Sequence, residues 1–210
     1  MIMKKLLAIV ALFASVTVAS AQIGVIGGLT LSKMDGANNV DGVKAKTLFH
    51  AGLTYKADLG AGFAVQPALT YSVKGATVHE DVGALDNICE AKTGYVELGI
   101  GAQWGPDLLA FRPYLFVEPY VGYGVTAKDT EKLAVTGSPV NLPITEAKNK
   151  LEYGVGAGFG VEIASHFQIS WQLFRNMNPL YNKDKVSEIG SPYTHLKSYQ
   201  GMKVSLAVLF

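Results

Sequence analysis

Apolar residues alternate with polar or small ones over eight stretches of this chain, and a period of two is that of a β-strand, whose successive side chains point to opposite faces. The first stretch, Ile23 to Lys33, puts Ile23, Val25, Leu29 and Leu31 on one face. The second, Thr47 to Asp58, sets Phe49, Ala51, Leu53, Tyr55 and Ala57 against His50, Thr54 and Lys56. From Gly62 to Lys74, Phe63, Val65, Leu69, Tyr71 and Val73 oppose Gln66, Thr70, Ser72 and Lys74. From Lys92 to Gly105, Val96, Leu98, Ile100 and Trp104 oppose Glu97 and Gln103. The fifth, Phe111 to Val125, alternates Leu115, Val117, Val121, Tyr123 and Val125 with Arg112, Tyr114, Phe116, Glu118 and Tyr120. Leu151 to Ile163 interleaves Tyr153, Val155, Ala157, Phe159 and Val161 with Glu152, four glycines and Glu162. His166 to Phe174 sets Phe167, Ile169, Trp171 and Leu173 against Gln168, Ser170 and Gln172. Ser198 to Phe210 sets Met202, Val204, Leu206, Val208 and Phe210 against Lys203 and Ser205.

The connections alternate in length. Leu59 to Ala61, Pro106 to Ala110 and Ser165 are short, whereas Met34 to Lys46, Gly75 to Ala91, Thr126 to Lys150 and Arg175 to Lys197 are long and polar. Strands of roughly 9–11 residues, joined by short turns on one side and long loops on the other, are the pattern of an outer-membrane barrel. The predicted fold is all-β, an eight-stranded antiparallel transmembrane β-barrel with short periplasmic turns and long extracellular loops. Its even strand count returns both termini to the periplasmic side. One domain, residues 22–210, accounts for all eight stretches.

In lipid an unpaired backbone group costs several kcal/mol, so a sheet crosses only as a closed cylinder. The apolar face must then point outward. On that face Tyr55, Phe63, Trp104, Phe167 and Phe210 fall near the short-turn end, and Phe49, Tyr71, Tyr123 and Tyr153 near the other. Two aromatic girdles are the expected result. A soluble barrel could also alternate, but it would turn its apolar side inward and need no such rings. The inward face is predicted to carry a network of Glu97, Arg112, Glu118 and Glu162, joined by Gln66, Gln103, Gln168, Gln172 and Lys56. An eight-stranded lumen is just wide enough for side chains to fill it or for one small ligand, so no broad channel is expected. Gly154, Gly156, Gly158 and Gly160 leave room for the bulky Tyr114, Phe116 and Tyr120 of the preceding stretch. Pro113 and Pro119 remove ladder donors, which predicts a bulge or local irregularity beside them.

The first residues change the cellular context. Lys4 and Lys5 precede a 13-residue apolar run, Leu6 to Val18, which ends at Ala19-Ser20-Ala21. The run is short of the roughly 20 residues a membrane helix needs, and this reads as a cleaved signal peptide, residues 1–21. Its removal leaves 16 Lys+Arg against 17 Asp+Glu, too balanced for a dedicated nucleic-acid binder, whose footprint is a basic patch. The single cysteine, Cys89, has no intrachain partner.

Candidate chemistry is sparse. The four histidines, His50, His79, His166 and His195, show no HExxH spacing, and no short nucleophile motif ties one of them to a serine. His50 is expected to face inward near the outer rim, His79 and His195 to lie in long loops, and His166 beside a short turn. Asp35, Asp41, Glu80, Asp81 and Asp86 form no calcium-loop pattern and read as solvated loop charges. The expectation is no catalytic residue, no metal site and no cofactor.

The signal peptide, the eight strands, the alternating connections and the closing Lys203-Val204-Ser205-Leu206-Ala207-Val208-Leu209-Phe210 together resemble the small outer-membrane β-barrel proteins of Gram-negative cell envelopes. Ile26-Gly27-Gly28-Leu29 and Gly154-Val155-Gly156-Ala157-Gly158-Phe159-Gly160 look most like the PorT-like barrel-domain family common in Bacteroidetes, and more distantly like OmpA-like and OmpX-like barrels. Met202, Val204, Leu206, Val208 and Phe210 are similar to the terminal signal read by the barrel-assembly machinery, which makes that machinery an expected partner. The resemblance implies an integral outer-membrane barrel with a structural or surface-interaction role, among outer-membrane lipid and lipopolysaccharide. It leaves open a secretion-associated role beside a surface or secretion-system protein, a lipid-modifying enzyme and a narrow channel.

Overall fold

The structure, a computed structural model, describes residues 21–34, 43–82, 85–108, 110–132, 139–141, 149–179 and 198–210. These residues form β1 (Ala21–Met34), β2 (Val43–Gly60), β3 (Phe63–Val82), β4 (Leu85–Trp104), β5 (Phe111–Lys132), the short β6 (Pro139–Asn141), β7 (Leu151–Ile163), β8 (Phe167–Asn176) and β9 (Tyr199–Leu209). Each pairs antiparallel with its neighbours in the order β4-β3-β2-β1-β9-β8-β7-β5-β6, and β4 pairs with β5. That pairing closes eight strands into a barrel, and β6 is a short addition to the far end of β5. The first and last strands meet through a continuous ladder from Gly24↔Leu209 to Met34↔Tyr199.

The two faces are inside out relative to a soluble protein. Ile23, Leu53, Leu115 and Leu206 point outward and are 59–65% exposed, while Lys56, Gln66, Glu97, Arg112 and Glu162 are buried in the lumen. Phe63 and Trp104 pack at 6.4 Å between ring centroids near the short turns, and Phe49 and Tyr71 at 6.2 Å toward the other end. A third outward pair, Phe159 and Trp171 at 5.4 Å, sits mid-strand and belongs to neither girdle.

The wall is uneven in height. β3, β4 and β5 run for 20, 20 and 22 residues, but β7, β8 and β9 for only 13, 10 and 11. The predicted loop Gly75–Ala91 is largely strand, because the β3–β4 ladder continues from Gly75↔Lys92 to Val82↔Leu85. Likewise Thr126–Lys132, placed in a loop by pattern, pairs with β4 out to Lys132↔Ile88. Beyond the apolar band neither face of a sheet has to be apolar, so the period-two signal vanishes although the ladder does not. The excess is about eight residues per strand, roughly 25 Å at the strand rise.

The expected irregularity appears beside Pro119 as a lapse in pairing, and at neither proline as a shift of register. The Pro113 carbonyl lies against Gly105, so its backbone polar side faces β4, and Pro119, six residues on, faces the same way. Pro113 thus falls where β4 has already ended. Opposite Pro119 the β4–β5 pairing lapses between Gly99↔Tyr120 and Ala102↔Val117 without a shift, and the ladder to β7 is unbroken. The register shift of the β4–β5 pair lies higher, at Gly94/Tyr95, where Val125 is the extra residue.

Two turns use left-handed backbone. Gly60, Ala61 and Gly62 have φ of 84°, 52° and 79°, and the Gly105 amide donates to the Gly62 carbonyl at 3.0 Å. Ala164 and Ser165, at φ 50° and 59°, form the β7–β8 turn, closed by His166 N–H donating to the Ile163 carbonyl at 3.1 Å.

Candidate functional site

Odd and even positions of each strand alternate between lipid and lumen, so the polar series of all eight barrel strands converges inside. Among the described residues Lys56, Lys74, Arg112 and Lys203 are buried cations of the lumen and Glu97, Glu152 and Glu162 buried carboxylates, with Glu118 lining a cavity beside them. These do not form one network but separate layers.

The layer nearest the short turns is a directed circuit. Arg112 Nη1 donates to Gln103 Oε1 at 3.1 Å, Gln103 Nε2 to Gln66 Oε1, Gln66 Nε2 to Gln168 Oε1 at 3.0 Å, and Gln168 Nε2 to Glu162 Oε2 at 2.8 Å. A 3.7 Å contact between Arg112 Nη1 and Glu162 Oε2 closes the ring. Each amide accepts from the cation side and donates toward the anion side, so every bond polarises the next. Only a residue that both donates and accepts can fill such a position, which accounts for three glutamines on three strands. Lys56 adds a second cation to Glu162 at 2.8 Å and reaches Asp58 at 2.9 Å, and Arg112 Nη2 also donates to the Gly62 carbonyl at 2.9 Å.

The layer toward the long connections is built on Lys74, which is fully buried. Its Nζ lies 2.9 Å from Glu152 Oε1, 2.9 Å from Glu97 Oε1 and 3.2 Å from Asn176 Oδ1. The Glu97 contact is ionic, without the alignment of a hydrogen bond. Lys203 holds the other Glu97 oxygen at 2.7 Å. Asn176 donates to Glu152 and accepts from the Tyr120 hydroxyl. The Lys74 ammonium also sits 4.5 Å from the Tyr120 ring centroid and 4.9 Å from that of Phe174, an aromatic environment that favours a desolvated cation.

Between the layers, His50 is wedged between two hydroxyls, Thr30 Oγ1 at 2.9 Å from Nδ1 and Ser205 Oγ at 2.9 Å from Nε2. His50 points inward as expected, but it lies midway along the barrel, level with Gly28 and Ser205, rather than at the rim. Glu118 accepts from Gln172 at 3.1 Å and lies against Gly99. Cavities of ≈ 40 and ≈ 50 Å³ flank Glu118, room for a few waters each and no more. The glycines of β7 accommodate the aromatics of β5: a Cβ at Gly160 would stand 2.5 Å from the Tyr114 ring, and one at Gly154 2.5 Å from the Tyr120 hydroxyl.

Of the four residues singled out in sequence, Arg112 and Glu162 meet in the first layer, Glu97 stands in the second and Glu118 between them. Lys74, Glu152, Lys203 and Asn176 complete the second layer and were not assigned to it. The first three lie on the polar parity of their strands, which could have identified them, whereas Asn176 lies past the predicted end of its strand. Val204 and Leu206 of the terminal series face outward at 40% and 59% exposure, Met202 and Val208 are half-buried, and Phe210 is 73% exposed with its amide donating to the Ile23 carbonyl at 2.7 Å. His166 caps its turn, with Nδ1 2.6 Å from the Ala164 carbonyl. The side chains of His79, Glu80, Asp81, Asp86 and Cys89 lie outside the described residues, as do Asp35, Asp41 and His195 and the predicted signal up to Ser20. Among the described residues no three His, Cys, Asp or Glu side chains converge as metal ligands would.

The chain is similar to solved structures at low sequence identity. Ail, the attachment invasion locus protein of Yersinia pestis, and Neisserial surface protein A are each 12% identical, with TM-scores of 0.43, covering 91% of this chain and 100% of theirs. The N-terminal β-barrel domain of Pseudomonas aeruginosa OprF is 11% identical over the same shares, with a TM-score of 0.38. No curated protein sequence matches the chain. Residues 13–182 match the family described as outer membrane protein beta-barrel domain, and the chain, an integral barrel of the outer membrane, belongs to that family.

Proposed function

We propose that this barrel is a surface-interaction protein, exported by a cleaved signal peptide, with its termini and short turns in the periplasm and its tall wall outside the cell. The uneven wall is the observation that carries the reading. β7 to β9 are just long enough to cross a membrane, so the added length of β3, β4 and β5 has no role in crossing and instead raises a stiff sheet, edged by β6, above the lipid. Sheet edges and rigidly held loops are surfaces that macromolecules recognise. The chemistry of the lumen supports the same reading. The Thr30–His50–Ser205 trio is buried beside a ≈ 50 Å³ cavity, too small to admit a lipid, which argues against hydrolysis there, and the crossed, charge-balanced interior argues against a wide channel.

Photo-crosslinkers placed at Thr77 and Thr130 in native membranes test the proposal. Reproducible capture of one protein from the tall wall supports a binding role. A secretion-system component as that protein would make it the PorT-like, secretion-associated variant. Capture only from the turns at Ala61 and Ser165 would defeat it.

A further inference from the structure

We infer that the lumen binds one monovalent metal cation, of the sodium or potassium class, in the cavity on the short-turn side of Glu118. The site is internal to the barrel and does not depend on the orientation or on a partner for the tall wall.

Charge points to it. Lys74 and Lys203 balance Glu97 and Glu152 in one layer. In the other, Lys56 and Arg112 share Glu162 and also take Asp58 and Asp107 at the mouth, at 2.9 and 3.4 Å. Each of the four cations is therefore committed, and among the described residues none pairs with Glu118. Lys203 lines the cavity on the other side of Glu118, but Glu97 holds its ammonium at 2.7 Å. The half-buried Glu118 accepts one hydrogen bond, from Gln172 Nε2 to Oε1 at 3.1 Å, and Oε2 has no donor among the described residues. A carboxylate withdrawn from bulk water requires a counter-charge.

The backbone supplies a second unmet acceptor beside it. Gly99 pairs with Tyr120, so Ile100 stands opposite Pro119, where the pairing lapses. Pro119 faces β4 but has no N–H, and the Ile100 carbonyl lacks its ladder donor. Gly99 and Gly101, on either side of Ile100, carry no side chain, and the Glu118 carboxylate lies against both. A Cβ at Gly99 would stand 2.9 Å from Glu118 Cδ, and one at Gly101 3.8 Å from Oε2. A carboxylate oxygen and a carbonyl oxygen without donors thus adjoin on one stretch of wall.

The cavity there is lined by oxygen. It measures ≈ 40 Å³, and Glu118 is the one charged residue of a lining that includes Gln66, Gln103, Gln168, Ser170 and Tyr114. Gln66 spends both amide hydrogens, on Thr54 Oγ1 and Gln168 Oε1 at 3.0 Å each, so what it has left for the cavity is acceptor lone pairs. Carboxylate, carbonyl and hydroxyl oxygens suit a hard cation. One carboxylate is too few for calcium or magnesium, so the charge to be matched is a single one. Water alone could donate to both oxygens but would leave that charge in place.

The test refolds the mature protein in detergent with thallium(I) nitrate, a potassium substitute, and combines anomalous scattering from crystals, titration by thallium NMR, and thermal unfolding in potassium, sodium and N-methylglucamine salts at equal ionic strength. Folding of every variant is checked by heat-modifiable gel mobility. The wild type should show one thallium peak beside Glu118 and Gly101, and should be more stable in potassium or sodium than in N-methylglucamine, whose cation is too large for the cavity. Glu118→Gln should lose both the peak and the difference between salts. Pro119→Ala restores a donor to the Ile100 carbonyl and leaves Glu118 in place, and it should bind thallium roughly fivefold more weakly, the worth of about one hydrogen bond. Asp107→Asn, at the exposed mouth, should keep the peak and the salt difference. Absence of the peak in the wild type, a peak that survives Glu118→Gln, or equal affinity in Pro119→Ala overturns the site. So does an acid carbonyl stretch in the infrared spectrum that Glu118→Gln removes, since a proton would then supply the counter-charge, and so does density in potassium with no anomalous signal in thallium, the mark of water alone. If Glu118→Gln does not fold, the wild-type salts and Pro119→Ala decide the matter by the same outcomes.

Discussion

Lys203 Nζ lies 2.7 Å from Glu97 Oε2, and their strands, β9 and β4, stand four places apart in a ring of eight, on opposite sides of the lumen. Lys56 and Glu162 join β2 to β7, and Gln66 and Gln168 join β3 to β8, in the same diametric way. A barrel in lipid has no apolar interior, so these polar struts do the cross-linking that core packing does in a soluble fold. Glu97 serves two cations, and its neutralisation leaves Lys74 and Lys203 facing each other with only Glu152 to share. Glu97→Gln is expected to cost about 3–5 kcal/mol in urea unfolding from lipid vesicles, as for other broken buried pairs. Lys203→Gln should cost less, because Glu97 keeps Lys74. Equal losses would show that Glu97 does not bridge the two lysines.

The same struts limit permeation. With cavities of ≈ 40 and ≈ 50 Å³ between the layers, planar-bilayer recordings are expected to show no large, stable current. A steady porin-like conductance from single molecules would mean that the layers part in the membrane.

Strand parity made the two faces legible in the sequence, because lipid demands an apolar residue at every second position and the lumen accepts the alternates. Parity says nothing about which lumen residues meet. Lys74 and Glu152 are 78 positions apart and lie on strands brought within reach only by closure, so their contact was invisible along the chain. The height of β3 to β5 was invisible for a related reason. Past the membrane the alternation has no physical cause, and residues such as Thr77, His79 and Glu80 resemble loop although they continue a ladder. Of the two prolines only Pro119 interrupts a ladder, because the effect depends on which neighbour the residue faces, a property of pairing and not of residue type.

The glycines of β7 differ in what they spare. A Cβ at Gly158 would stand 2.0 Å from the Trp171 carbonyl, a backbone atom that cannot swing away, whereas the nearest obstacle at Gly160 is the Tyr114 ring. Gly158→Ala is therefore expected to destabilise the barrel at the upper end of the overpacking range, about 1–3 kcal/mol, and Gly160→Ala by less. Tyr114→Leu should rescue Gly160→Ala in part, since the Ile169 carbonyl still stands 2.8 Å from the added Cβ, and leave Gly158→Ala unchanged. Rescue of both would place the clash in the aromatic side chain at both positions.

The β7–β8 turn carries removable strain. Ala164 and Ser165 both occupy left-handed backbone, where a non-glycine residue costs roughly 1–2 kcal/mol, and a two-residue turn of this kind favours Asn-Gly. The double substitution Ala164→Asn, Ser165→Gly should raise stability by about 1 kcal/mol after the added flexibility of the unfolded glycine is allowed for. A fall in the urea midpoint would indicate that one of the native side chains makes a contact worth more than the strain.

The terminal residue closes the barrel in space as well as in sequence. Phe210 N–H donates to the Ile23 carbonyl at 2.7 Å, and the Leu209 amide donates to that of His166, so the end of β9 is held by the strands on both sides while the Phe210 ring stands 73% exposed at the short-turn end. That ring has the depth of a girdle residue and the position of the proposed assembly signal. Deletion of Phe210 removes the ring and one backbone bond together, so it should slow both assisted assembly in cells and spontaneous folding into vesicles. Phe210→Ala keeps the backbone bond and removes only the ring, and it separates the two roles. If the ring is read by the assembly machinery, Phe210→Ala should accumulate unfolded in the periplasm yet fold into pure lipid vesicles at close to the normal rate. Equal slowing in cells and in vesicles would make the ring an interface anchor alone, and normal assembly in cells would remove it from the signal.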